Sequence, residues 1–131
     1  MTWKLTDKEF ESVLKQPGAK RYKYLLGRVA DTALIWSLAG SDGWVLLADN
    51  QGHEMVPIWP HAQYATACAI NEWNGLEARS IPLSEWMELW TAGLLRDQRL
   101  VAAFPIPEGK GVVVSPERLK SDLAAALLAY E

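Results

Sequence analysis

Two glycine turns constrain this chain more than any other feature. Gly40-Ser41-Asp42-Gly43 and Asn50-Gln51-Gly52 cut residues 33–59 into three short apolar segments. Segments of that length, bounded by turn residues, read as strands. In the first, residues 33–39, strand alternation puts Leu34, Trp36 and Leu38 on one side. Residues 44–49 are apolar on both faces, which predicts a central strand. The short connections predict an antiparallel meander. Pro57 cannot donate to a ladder, so the third strand, residues 53–59, is expected to be an edge there, or bulged.

The stretch PIWPHAQYATACA, residues 57–69, follows from that meander. Pro60 removes a donor and helps stop the strand. A helix over residues 61–73 is expected next, with Tyr64, Cys68 and either Ala65 or Ile70 packed inward. The stretch reads as a strand-to-helix corner rather than a catalytic centre. Trp59 and His61 sit where the strand ends, so the corner remains a candidate surface site.

Elsewhere the pattern is helical or hairpin-like. Thr6-Asp7-Lys8-Glu9 has the capping-box form and opens a helix over residues 6–15, which Pro17-Gly18 stops. In a second helix, about residues 19–30, Tyr22, Leu25, Leu26 and Val29 share a face, with Lys20, Arg21, Lys23 and Arg28 opposite. Residues 77–82 read as a short extended piece. Leu83, Trp86, Trp90 and Leu94 form the stripe of a helix over residues 84–96, with Ser84 as its cap. Residues 100–104 and 111–115 read as a hairpin around the loop PIPEGK, and Ser115-Pro116 starts a last helix that aligns Leu119, Leu123, Leu127 and Tyr130. The expected fold is α+β in the order ααβββαβαββα. It is a single domain over residues 1–131, with about five to six strands in a largely antiparallel or mixed sheet, covered by about five helices.

A chain of 131 residues, half of them hydrophobic, is long enough to bury a core without disulfides or metals. The lone Cys68 forms no internal disulfide. The polar start MTWKLTDKEF lacks the apolar region of a signal peptide, and no run approaches the ~18 apolar residues of a membrane helix. A cytoplasmic location without a membrane partner is the expectation. Seven tryptophans read first as a core, with a groove lined by one or two of them as the alternative. The net charge is −3, but it is unevenly spread. Residues 1–28 hold seven Lys or Arg and three acids, whereas residues 29–78 hold six acids and no Lys or Arg. An acidic middle of this kind attracts a basic partner and speeds encounter, unless the basic helix folds back to neutralise it.

Specific chemistry finds little purchase. His53 and His61 would lie about 20 Å apart along an extended strand, too far to share a metal. Cys68 would sit about 10.5 Å along a helix from His61 and is flanked by alanines, as a small buried hydrophobe often is. The loop Pro107-Glu108-Gly109-Lys110 lacks the frame of a phosphate loop and reads as a hairpin turn, although its glycine amides and Lys110 could hold an anion. Lys15, Lys20, Arg21, Lys23 and Arg28 around Tyr24 make a basic helix face that could meet RNA, against a net acidic chain with no RNA-binding signature.

The segment GWVLLADNQGHEMVPIWPHAQYATACA, residues 43–69, resembles the core motif of a bacterial family known as domain of unknown function 2750. That pattern joins a Gly-aromatic strand to G-x-E-x-x-P-x-W-P and an Ala-rich helix ending near Glu-Trp. Here Gly52, Glu54, Pro57, Trp59, Pro60 and Glu72-Trp73 carry it. Residues 81–94 and 101–119 also resemble the family, so the likeness spans about residues 22–125, with the helix 6–15 as an extension. The resemblance implies a fold and no function.

The residues therefore favour a non-catalytic interaction or regulatory domain, of which an immunity-type protein is one version. It needs no cofactor or metal, and its partner is another protein of basic character. Candidate contact residues are Trp59, His61 and Glu54 at the corner and Asp42 and Asp49 on the turns. A second reading is a small-molecule pocket, or a minor enzyme, between Trp59-His61 and the loop 105–110. RNA binding by the helix 15–28 is a third. Monomer and homodimer fit the sequence equally.

Overall fold

Strand pairing divides the chain into two sheets. The computed structural model describes residues 3–130, with the side chain of Tyr130 outside the described residues. The helix α1 (Asp7–Leu14) begins as its cap predicts: Thr6 Oγ1 accepts from the Glu9 amide at 3.2 Å. The Glu9 carboxylate does not return to Thr6 but turns to Tyr24 and Arg28. Helix α2 (Gly18–Thr32) buries Leu25, Val29 and also Arg21, which the sequence places on the solvent side. Ala33, in left-handed backbone (φ 61°), ends it by donating to Val29 O at 2.8 Å.

Strand β1 (Leu34–Gly40) lies at the centre of a three-stranded antiparallel sheet, between β2 (Gly43–Trp44) and β5 (Glu77–Pro82). The second sheet has the order β3-β4-β6-β7, from β3 (Leu47–Ala48), β4 (Glu54–Ile58), β6 (Leu100–Ala103) and β7 (Val112–Val114). Its β4–β6 pair is parallel and the other two pairs are antiparallel. Among the described residues, seven strands in two sheets replace the single sheet of five to six expected from the sequence. The expected central strand 44–49 is two short pieces. Trp44 pairs with β1, Leu47 pairs with β4, and the chain crosses between sheets at Val45–Leu46. Its double-sided apolar character reflects this crossing rather than burial, since Trp44 and Leu46 are exposed.

Pro57 is buried in β4, which is interior rather than an edge. Its carbonyl accepts from Ser37 Oγ at 2.6 Å, so its absent N–H would point to the β1 side of the strand. There β3 has already ended at Met55, and backbone pairing with β1 resumes only at Trp59. Trp36 and Trp59 exchange both backbone hydrogen bonds, at 2.9 and 2.8 Å, and so tie the two sheets together.

Helix α3 (Ala62–Ala67) is shorter than the expected 61–73 and is followed by a 3-10 turn at Asn71–Trp73. Tyr64, Ala65 and Cys68 are buried, while Ile70 is exposed. Residues 83–96 form one helix, α4, whose middle turn Trp86–Trp90 is widened to π geometry. Both the amide and Oγ1 of Thr91 donate to Trp86 O, and Trp86 stacks on Trp90 at 5.1 Å and 13°. Pro82, not Ser84, precedes this helix, so Ser84 is no cap. Helix α5 (Pro116–Tyr130) starts as predicted, with Ser115 Oγ accepting from the Arg118 amide at 3.0 Å. Leu119 and Leu123 are fully buried on its inner face. Among the described residues, five helices and two mostly antiparallel sheets thus make an α+β domain around Trp59, Trp86, Tyr64, Phe104 and Leu25.

Candidate functional site

The loop between β6 and β7 is held from three directions. Trp59 Nε1 donates to Pro105 O at 2.7 Å, and Cys68 Sγ reaches the same oxygen at 3.4 Å. Arg21 donates to Phe104 O at 3.2 Å, Lys110 O at 3.0 Å and Gln16 O at 2.7 Å. Within the loop, Ile106 and Gly109 exchange two backbone bonds of 3.0 and 3.1 Å. Phe104 accepts a left-handed backbone (φ 58°), which is unfavourable for a bulky residue and is held by these bonds. Arg21 is the residue that the sequence reading missed. Its signal was present: Arg21, Leu25 and Val29 recur at four-residue spacing on one helix face.

This clamp builds one wall of an open cleft of about 480 Å³. Pro107, Gly109 and Lys110 lie on that wall, Leu46–Ala48 on a second, and Cys68 with Ile70–Trp73 on a third. The expected pocket between Trp59-His61 and the loop is thereby relocated. Trp59 lies beneath the loop with no exposed surface and so has no face for a partner. His61 belongs to a different cluster at the N-terminal end of α3, whereas Cys68 on the cleft stands at its C-terminal end. Its Nδ1 caps that helix by accepting from the Gln63 amide at 3.1 Å, and its ring meets Trp3 edge-on at 4.9 Å. Burial depresses the His61 pKa, partly opposed by the Trp3 backbone and Glu9.

Around His61, Tyr24 Oη and Arg28 both donate to one oxygen of Glu9, at 2.6 and 2.7 Å. The Tyr24 and Tyr64 hydroxyls are 3.1 Å apart, and the Arg28 guanidinium stands 4.2 Å over Trp3. Burial raises the Glu9 pKa, but the hydrogen bonds from Tyr24 and Arg28 outweigh it and the net shift is downward. Burial also pushes the Tyr64 phenol to about 12. This network pins α1 to α2 and α3. It also alters the basic face of α2: Arg21 serves the loop and Arg28 serves Glu9, leaving Lys15, Lys20 and Lys23 exposed.

The remaining candidates lie on or beside the turns. Asp42 is exposed in the β1–β2 turn. Asp49 shapes the next turn, accepting from the Gln51 and His53 amides at 2.9 Å and meeting His53 Nδ1 at 2.9 Å. These bonds from His53 and Gln51 lower its pKa. Glu54 is ion-paired with Arg99 at 3.1 Å, so a cation from beyond residue 78 reaches the acidic segment. Glu108 is exposed at the loop tip. Burial pushes the Cys68 thiol up to about 11, with Trp59 and Arg21 opposing. Among the described residues, no three His, Cys, Asp or Glu side chains are placed to share a metal ion, and no helix is long and apolar enough to cross a membrane.

The fold and the clamped cleft define an α+β domain that couples two small sheets through Trp36 and Trp59. A family model described as protein of unknown function (DUF2750) matches residues 22–123, and the chain belongs to that family. The matched span leaves α1, with Thr6 and Glu9, outside it. Comparison with curated proteins and with solved structures gives no match.

Proposed function

We propose that this domain is a non-catalytic protein-interaction module whose acidic turn face meets a basic partner protein. The observation that carries this reading is the segment 41–54. It is largely exposed, holds Asp42, Asp49 and Glu54, and contains no Lys or Arg. Exposed Trp44 and Leu46 lie in the same segment and supply apolar contact area beside the carboxylates. Hot spots commonly combine an aromatic or apolar anchor with a polar rim. An immunity-type or regulatory role in the cytoplasm is the specific form of this proposal. The test is capture from native lysate on immobilised protein at low and moderate salt. A stoichiometric basic protein that is lost as salt rises supports the reading. A column that retains nothing at either salt contradicts it.

A second reading, a small-molecule site, is favoured by one observation. The cleft beside residues 105–110 falls within the volume range of ligand sites, about 300–1,000 Å³. A thermal-shift screen with a metabolite panel tests it, and no compound raising Tm would count against it.

A further inference from the structure

The β3 strand is the outer strand of its sheet, and its short length is its one guard as an edge. Asp49 N–H donates to His53 O at 3.1 Å, toward the β4 side. By strand alternation, Leu47 also faces β4, while Leu46 and Ala48 turn their N–H and C=O groups away from it. Natural edges are commonly guarded by short length, lysine, proline, a bulge or a covering element. Here the edge reads Leu46-Leu47-Ala48, without a lysine or proline, and it borders the open cleft described above. Leu46 and Ile70, both on the cleft wall, are 36 % and 45 % exposed, and Trp73 and Ile106 add further apolar lining.

We propose that this edge and its cleft dock an extended peptide segment of a partner protein. The segment would add as a further strand on β3 and seat an apolar side chain against Leu46, Ile70 and Trp73. This inference rests on the interaction reading and gives it a binding mode. Main-chain bonds to an open edge supply affinity, and alternate side chains falling into a pocket supply specificity. Charge selects the class of segment. The walls 46–48 and 70–73 both come from the fifty residues that hold no Lys or Arg. Glu72 lines the cleft and Asp49 closes the end of β3, so Lys or Arg beside the apolar anchor fits this side. Lys110 stands on the loop wall, where a neutral or acidic residue fits.

Selection from a random dodecapeptide display library on the intact protein tests the mode, with binding of the selected peptides then measured on variants. Enriched peptides should alternate apolar residues and carry Lys or Arg. Their affinity should fall roughly tenfold or more in Ala48→Pro, which removes an outward N–H without touching the β4 ladder, and in Ile70→Asp. Leu128→Asp, on exposed helix surface, should leave it unchanged. Should Ala48→Pro disturb folding by circular dichroism, Ile70→Asp alone decides. No enrichment, an acidic consensus, or equal binding to wild type and folded variants overturns the proposal. A lysate column that still retains a basic partner in that case leaves the interaction reading standing and rejects only this mode. An empty column rejects the interaction reading itself.

Discussion

Arg21 shows how a single side chain can join distant parts of this fold. Its guanidinium serves three carbonyls from two separate segments, residues 16 and 104–110, and the residue is only 5 % exposed. Removing it leaves those acceptors without their charged donor. Arg21→Ala should cost about 3 kcal/mol in urea unfolding, and Arg21→Lys should recover little, because one ammonium cannot span the three oxygens. Cys68 is governed by its surroundings too. With its thiol pushed to about 11 by burial, it should resist Ellman's reagent at pH 8 in the native state and react at once in urea. Glu9 carries the pH prediction. Its folded pKa is below the ordinary value, so its network stabilises the fold above the unfolded carboxyl pKa and loses that contribution as pH falls through the folded one. The difference in Tm between wild type and Glu9→Gln should therefore be largest near neutrality and shrink below about pH 4.

Among the elements, local signals were legible and crossings between sheets were not. Thr6, Pro17-Gly18 and Ser115-Pro116 mark real helix boundaries because a cap acts within three or four residues. The hairpin β6–β7 was likewise visible from two apolar runs around PIPEGK. Residues 44–49 misled because apolar side chains on both faces fit a central strand and a crossing strand equally. Only the separate partners of Trp44 and Leu47 distinguish the two. The π turn in α4 was also illegible: it depends on the Thr91 hydroxyl and the Trp86–Trp90 stack, which helical periodicity does not report. Gly111 offers a test at this scale. A Cβ there would stand 2.5 Å from Ala103 O, a backbone atom that cannot swing aside. Gly111→Ala should destabilise by about 2 kcal/mol in urea unfolding, through displacement of the β6–β7 hairpin.

For the molecule as a whole, the sequence located one wall of the cleft but not the walls that face it. The loop 105–110 does border a cleft, yet its opposite walls are Leu46–Ala48 and Ile70–Trp73 rather than Trp59 and His61. Trp59 was drawn inward by Pro105 O and His61 by Trp3, contacts set by tertiary packing and invisible in one dimension. The acidic segment, by contrast, could be read directly from a run of fifty residues without a cation. Its proposed role in encounter makes a kinetic claim. Association of the captured partner should be measured by stopped flow against ionic strength, for wild type and for a variant carrying Asp42→Lys, Asp49→Asn and Glu54→Lys. Asparagine at 49 keeps an acceptor for the turn amides while removing the charge. An acidic docking face predicts an association rate that falls steeply with salt in the wild type, and a slower, nearly salt-independent rate in the variant. Equal rates and equal salt dependence in the two proteins would contradict it.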